Sequence, residues 1–219
     1  RLWLEAAWTA TFTAEPGSDG QLAWARAVAT AATVDDTRAA ELRAMLDGTG
    51  KAPQGLRSDP DLRWQLWTAL AATGHAEPAD LDGELARDDT GSGRTARLRA
   101  LAARPLAAVK EQAWTAILTD TALSNEHLDA TIAGFRAGAH RELIAPFDDD
   151  YFAAIRTVWS ERSIEMARRI VVGLFPAGDT LEPSDRWLDA HADAPAALRR
   201  LVVEQRDHLA RDLRAQALG

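Results

Sequence analysis

The stretch Leu62-Arg63-Trp64-Gln65-Leu66-Trp67-Thr68-Ala69-Leu70-Ala71-Ala72-Thr73-Gly74-His75-Ala76 puts two tryptophans and three leucines on one short segment, then stops at Gly-His. At about 100° per residue, Leu62, Leu66 and Leu70 fall on one face of a helix, and Trp64, Trp67 and Ala71 on the neighbouring face. The apolar arc spans roughly 200°, against the stripe of about 100° shown by a surface helix. Such a helix must be covered from two sides, so the stretch reads as packing and not as a site. The flanking signals agree. Asp59 supplies an N-cap, Pro60 suits the first helical position, Asp61 complements the dipole and Gly74 suits a left-handed C-cap.

The same plan recurs along the chain. Trp24, Trp67, Trp114 and Trp159 stand at near-regular spacing, and each is followed by two or three helical turns. After the first three comes a break, at Val34-Asp35-Asp36, Ala76-Glu77-Pro78 and Leu123-Ser124-Asn125. A second helix then starts, carrying Leu42, Met45 and Leu46 in the first unit, Leu81 and Leu85 in the next, and Leu128, Ile132 and Phe135 in the third. A period of about 40–47 residues with two or three helices per unit is the mark of HEAT- or armadillo-like arrays. All nine prolines fall between helical segments. The segment from Pro195 has Leu198, Leu201, Val202, Leu209 and Leu213 on one stripe and charge elsewhere, as a terminal capping helix requires. The expected fold is all-α: a right-handed α-α superhelix of about ten to twelve helices in one domain over 1–219. Looser regions are expected at Gly48–Ser58 and Asp88–Gly93.

Composition bounds the function. An apolar fraction of 47% with 26% charged residues belongs to an ordinary globular chain. The apolar runs are too short to span a bilayer. A formal charge of -8 argues against nucleic acid, whose phosphates need a basic footprint. Only Lys51 and Lys110 are lysines, and there is no cysteine, hence no thiolate metal site and no thiol nucleophile. No signal peptide is visible, and a cytoplasmic location is expected. The chain starts at Arg1 without a methionine, which reads as either a processed end or the start of a cut-out fragment.

Catalytic patterns are missing. No histidine pair has the H-E-x-x-H spacing that puts two imidazoles on one helical face; Glu126-His127 and His140-Arg141-Glu142 read as helix ends with salt bridges. Gly91-Ser92-Gly93-Arg94 lacks a phosphate-loop frame and reads as a mobile linker. Asp148-Asp149-Asp150 reads as negative charge at a helix start. The remaining polar resource is arginine. Arg136, Arg141, Arg156, Arg162, Arg168 and Arg169 cluster within one stretch, and a bidentate guanidinium can hold a peptide carboxylate. The plain alternative pairs them with Glu142, Glu161 and Glu165.

Several stretches together resemble a known family. They are Gln21–Ala27, Asp61–Leu66 running to Gly74, Ala86–Gly93, Leu143–Phe147 with Tyr151-Phe152, and Ala194–Asp207. These are similar to the carboxy-terminal helical region of actinobacterial aminopeptidase N, a gluzincin zinc metallopeptidase. The resemblance implies a helical domain that closes over the active site, shapes a peptide chamber and selects substrates by length and access. It also implies that zinc and the catalytic residues lie in another domain of the same polypeptide, with none in this chain. Arg136 and Arg162 are the expected contacts to peptide substrate. Cut from its neighbours, the piece would expose an apolar docking surface and could dimerise. Two other readings stay open: a freestanding helical-repeat scaffold that binds a protein or peptide, and an all-α metalloenzyme using His127 and His140.

Overall fold

Prolines and small polar residues set the helix starts. The computed structural model describes residues 2–217, and among them every regular element is helical. In order these are α1 (Leu2–Thr13), α2 (Asp19–Ala31), α3 (Ala39–Asp47), α4 (Pro60–Ala72), α5 (Pro78–Arg87), α6 (Gly91–Ala103) and α7 (Ala107–Thr119). There follow α8 (Asn125–Phe135), a single-turn α9 (Arg141–Ile144), a 3-10 turn (Ala145–Phe147), α10 (Asp148–Glu161), α11 (Ile164–Gly173), α12 (Glu182–Ala190) and α13 (Ala196–Gln216). Apart from α9 and the 3-10 turn, the helices fall within the expected ten to twelve.

The α4 segment is built as its residues dictate. The Asp59 carboxylate accepts from the Leu62 amide at 2.7 Å, and Pro60 occupies the first turn. At the other end Gly74 has φ +79°, the Gly74 amide donates to Ala71 and the His75 amide to Leu70, which is a Schellman closure. All six residues that the helical wheel singles out are buried. Cover comes from α2 and α3 and, on another side, from α6.

Helix pairing is simple. α1 lies on α2, α2 on α4, α4 on α6, α6 on α8, α8 on α11 and α11 on α13, which makes one row. The remaining long helices flank it: α3 on α4, α5 on α6, α7 on α6 and α8, α10 on α11, and α12 on α10 and α13. The tryptophan spacing does not mark equivalent places in this arrangement. Trp24 and Trp67 are on row helices, whereas Trp114 and Trp159 are on flanking ones. Trp67 and Trp114 are buried, but Trp24 is 38% exposed and lies 6.4 Å from the equally surface-bound Trp3. Similar helix and loop lengths bring a tryptophan round at similar intervals without a shared environment.

The looser region at 48–58 is non-helical as expected, and the side chain of buried Gln21 ties it down. Its amide nitrogen donates to Thr11 and Gln54 carbonyls at 3.2 and 3.0 Å, and its oxygen accepts from the Gly17 amide. The looser region expected at 88–93, and the mobile linker read at 91–94, are instead the approach to and first turn of α6. Thr90 caps α6 by accepting from the Gly93 amide at 3.0 Å, and a Cβ on Gly93 would collide with the Asp88 carbonyl. Two glycines in one short polar run suggested mobility, and the close approach of the capping turn at Asp88 explains the second of them.

The buried apolar side chains form two clusters, one from Leu4 to Ala103 and one from Ala102 to Val202. They meet where α6 crosses α8. Gly134 permits that approach, since a Cβ there would press into the Arg99 carbonyl and lie 2.7 Å from the Ala102 methyl. Gly134→Ala should therefore cost about 1–3 kcal/mol as overpacking, read as a lower urea midpoint with an unchanged m-value. An unaltered midpoint would mean the two helices separate freely.

Lys110 closes the same junction. It is fully buried, and its Nζ donates to the carbonyls of Ala102 at 2.8 Å, Gly134 at 3.1 Å and Ala103 at 3.3 Å. Three acceptors satisfy the three N–H bonds of an ammonium, and two of them are end carbonyls of α6. Burial pulls its pKa down to about 8. In the unfolded chain the group titrates near 10.5, so between these values the unfolded state binds more protons and stability rises with pH. The full rise is about 3 kcal/mol. Chemical denaturation at pH 8 and pH 10 should show about 2 kcal/mol of it for the parent chain and none for Lys110→Met.

Candidate functional site

Trp64 and Trp67 bury their rings but keep their N–H groups in use. Trp64 Nε1 donates to Asp88 Oδ2 at 2.9 Å, and Trp67 Nε1 to Glu84 Oε2 at 3.0 Å. Glu84 is 3% exposed and also receives one guanidinium edge of Arg63, from Nε at 2.6 Å and Nη2 at 2.5 Å. Burial pushes the Glu84 carboxyl up. The hydrogen bonds from Arg63 and Trp67 and the Arg63 charge outweigh that, and the group titrates below the usual carboxylate range. On the exposed side of Trp67, Arg43 lies 5.0 Å from the ring centroid while its guanidinium grips both Asp80 oxygens. These carboxylates are fully engaged by structural partners. The opening stretch is packing.

The two arginines expected to meet substrate both reach helix ends. Arg136 Nη1 donates to the Gly173 and Phe175 carbonyls at 2.9 and 3.3 Å, closing the end of α11. Its Nε and Nη2 make no hydrogen bond among the described residues, and the side chain is exposed. Arg162 places Nη1 on the Asp120 carbonyl at 3.0 Å and Nη2 on Leu118 at 2.7 Å, closing the end of α7. They serve different helix ends, α11 for Arg136 and α7 for Arg162. Of the other arginines, Arg169 pairs with Glu165 as read from sequence and also with Asp129, while Arg141 pairs with Asp148 and Arg156 with Asp193.

His140 Nδ1 lies 3.3 Å from Glu142, its neighbour in sequence, and no group of three or more His, Asp or Glu side chains among the described residues could hold a metal. Asp148, Asp149 and Asp150 form the first turn of α10, where negative charge suits the dipole.

The feature that the sequence did not advertise is a groove of about 700 Å³ across α2, α4, α6 and the start of α8. Its lining comes from Ala29, Thr30 and Thr33, from Trp64, Gln65 and Thr68, and from Ser92, Thr95 and Ala96. On each helix these residues recur at spacings of three and four, so small side chains share one face and leave a furrow between helices. The threonine hydroxyls of 30, 68 and 95 each donate to the carbonyl four residues back, so they are satisfied within their own helices. Charge at the groove is supplied by Asp61, Asp88, Glu126 and Arg99. A run of Thr, Ser and Ala on the polar face of successive helices was the available signal.

Comparison with known proteins places the chain. The ERAP1-like C-terminal domain model matches residues 1–211, and the chain belongs to that family. Aminopeptidase N of Streptomyces lividans is 44% identical over 219 residues, covering 98% of this chain and 25% of that protein. The chain thus spans about a quarter of the length of this relative. It corresponds to the C-terminal domain of an aminopeptidase N, and the resemblance read from its packing motifs holds.

Proposed function

We propose that this chain is the non-catalytic, chamber-closing domain of a zinc aminopeptidase, whose peptide-facing surface is the groove on α2, α4, α6 and α8. The observation that carries this reading is the groove itself: an open furrow on the row helices, in a family of aminopeptidase C-terminal domains. The alternating row and flanking helices support a right-handed α-α superhelix of HEAT- or armadillo-like character, with the groove on its inner side. Zinc would be held by residues in the rest of the polypeptide, where it would supply Lewis-acid chemistry for hydrolysis of the first peptide bond. This domain keeps the peptide oriented and limits which lengths enter. Arg136, with one guanidinium edge unused, and Arg162 are the side chains offered to the peptide's distal carboxylate. The exposed Leu2, Trp3 and Trp24 form the apolar surface that docks on the remaining polypeptide and that would drive dimerisation of the isolated piece. No helix among the described residues is long and apolar enough to cross a membrane.

The test compares the intact polypeptide with one lacking this domain on peptides of two to twelve residues that share the same first residue. The expected result is a changed dependence of kcat/KM on length, with single-residue amides still cleaved. An identical length profile for both proteins would remove the chamber role.

A further inference from the structure

The groove carries a charge imbalance that the family match does not explain. Asp61, Asp88 and Glu126 face it against the single cation Arg99. Asp88 is committed to Trp64 and Thr90. Asp61 and Glu126 are exposed and form no ion pair among the described residues, and neither does Arg99. Trp64, 4% exposed, and threonine and alanine side chains complete the lining, and the hydroxyls of Thr30, Thr68 and Thr95 are already satisfied. A surface of this kind combines apolar contact with negative charge that has no ion-pair partner. Its complement is an extended chain with long side chains that end in positive charge, because lysine and arginine lay their methylenes on apolar walls while keeping the charged head in water. The net charge of -8 adds a longer-range attraction of the same sign.

We infer that this groove is a docking site for an extended peptide segment bearing lysine or arginine side chains, so that the domain favours peptides with basic distal residues. The inference rests on the substrate-facing role proposed above. It assigns the selectivity to Asp61 and Glu126, which act on binding and not on bond cleavage.

The experiment uses the intact polypeptide and eight-residue peptides identical in their first four residues, with arginine, alanine or glutamate at positions five to eight. Steady-state kcat/KM is measured at low salt and at about 0.5 M salt. The expected result is a preference for the arginine series that shrinks at high salt, where exposed charges are screened. Asp61→Asn/Glu126→Gln should lower the arginine-to-glutamate ratio about three- to tenfold, mostly through KM. Asp189→Asn, on exposed α12 surface outside the groove, should leave that ratio as it is. Melting temperatures confirm that the double variant is folded, and Glu126→Lys supplies a second, charge-reversed test. A distal preference that persists unchanged in the groove variants overturns this inference and leaves the chamber role standing. Indifference to every distal residue, together with an unaltered length profile after domain removal, overturns both.

Discussion

Trp67→Ala should destabilise the chain by about 3–5 kcal/mol, the range for deleting a fully packed aromatic. Three losses add up there. The indole leaves a void between α4 and the helices that cover it, Arg43 loses the ring beneath it, and Glu84 loses one of its three donors. Arg43 keeps Asp80 and Glu84 keeps Arg63, so the cavity is the largest of the three. Thermal and urea unfolding would both report the change. A melting temperature equal to that of the parent chain would mean α4 is not the centre of the first core cluster.

Glu84→Ala is the second large effect, at about 3 kcal/mol or more. Removing the carboxylate leaves the Arg63 guanidinium, itself mostly covered, beside an apolar wall with only the Leu46 carbonyl at 3.2 Å to accept from it. It also orphans the Trp67 N–H. Glu84→Gln keeps the shape and removes the charge, and should fall between parent and alanine variant. The sign with pH follows from a folded pKa held below the ordinary value: the stabilisation is complete above about pH 4.5 and is lost as pH falls through the folded pKa. The alanine variant should therefore show a flatter acid limb. Because Trp67 and Glu84 share a hydrogen bond, the Trp67→Ala/Glu84→Ala double variant should cost less than the sum of the singles. Strict additivity would contradict the observed contact.

Much of α4 was legible because its information is local. Caps, a proline at the first turn and a wide apolar arc lie within fifteen residues, and the helix formed as they indicate. The α13 stripe is deepest in its first half: Leu198, Leu201 and Val202 are buried, whereas Leu209 packs against the second cluster only partly covered and Leu213 is also only partly covered. Glu84 and Lys110 were opaque. Within Asp82-Gly83-Glu84-Leu85 and Val109-Lys110-Glu111-Gln112 each reads as a solvent-facing charge, and only partners from other helices make it internal. Arg136 and Arg162 illustrate the same limit, since the helix ends they close lie 37 and 44 residues away at the named contacts. The groove needed three helices side by side before its small residues meant anything.

The scarcity of lysine has a practical consequence. The chain's two amines beyond its start are Lys51, on the surface, and Lys110, sealed at the α6–α8 junction under three carbonyls. An amine-specific reagent should thus modify Lys51 at once and Lys110 only when the junction opens. The ratio of the two adducts over time becomes a clock, read by mass, for how often the two halves of the molecule come apart.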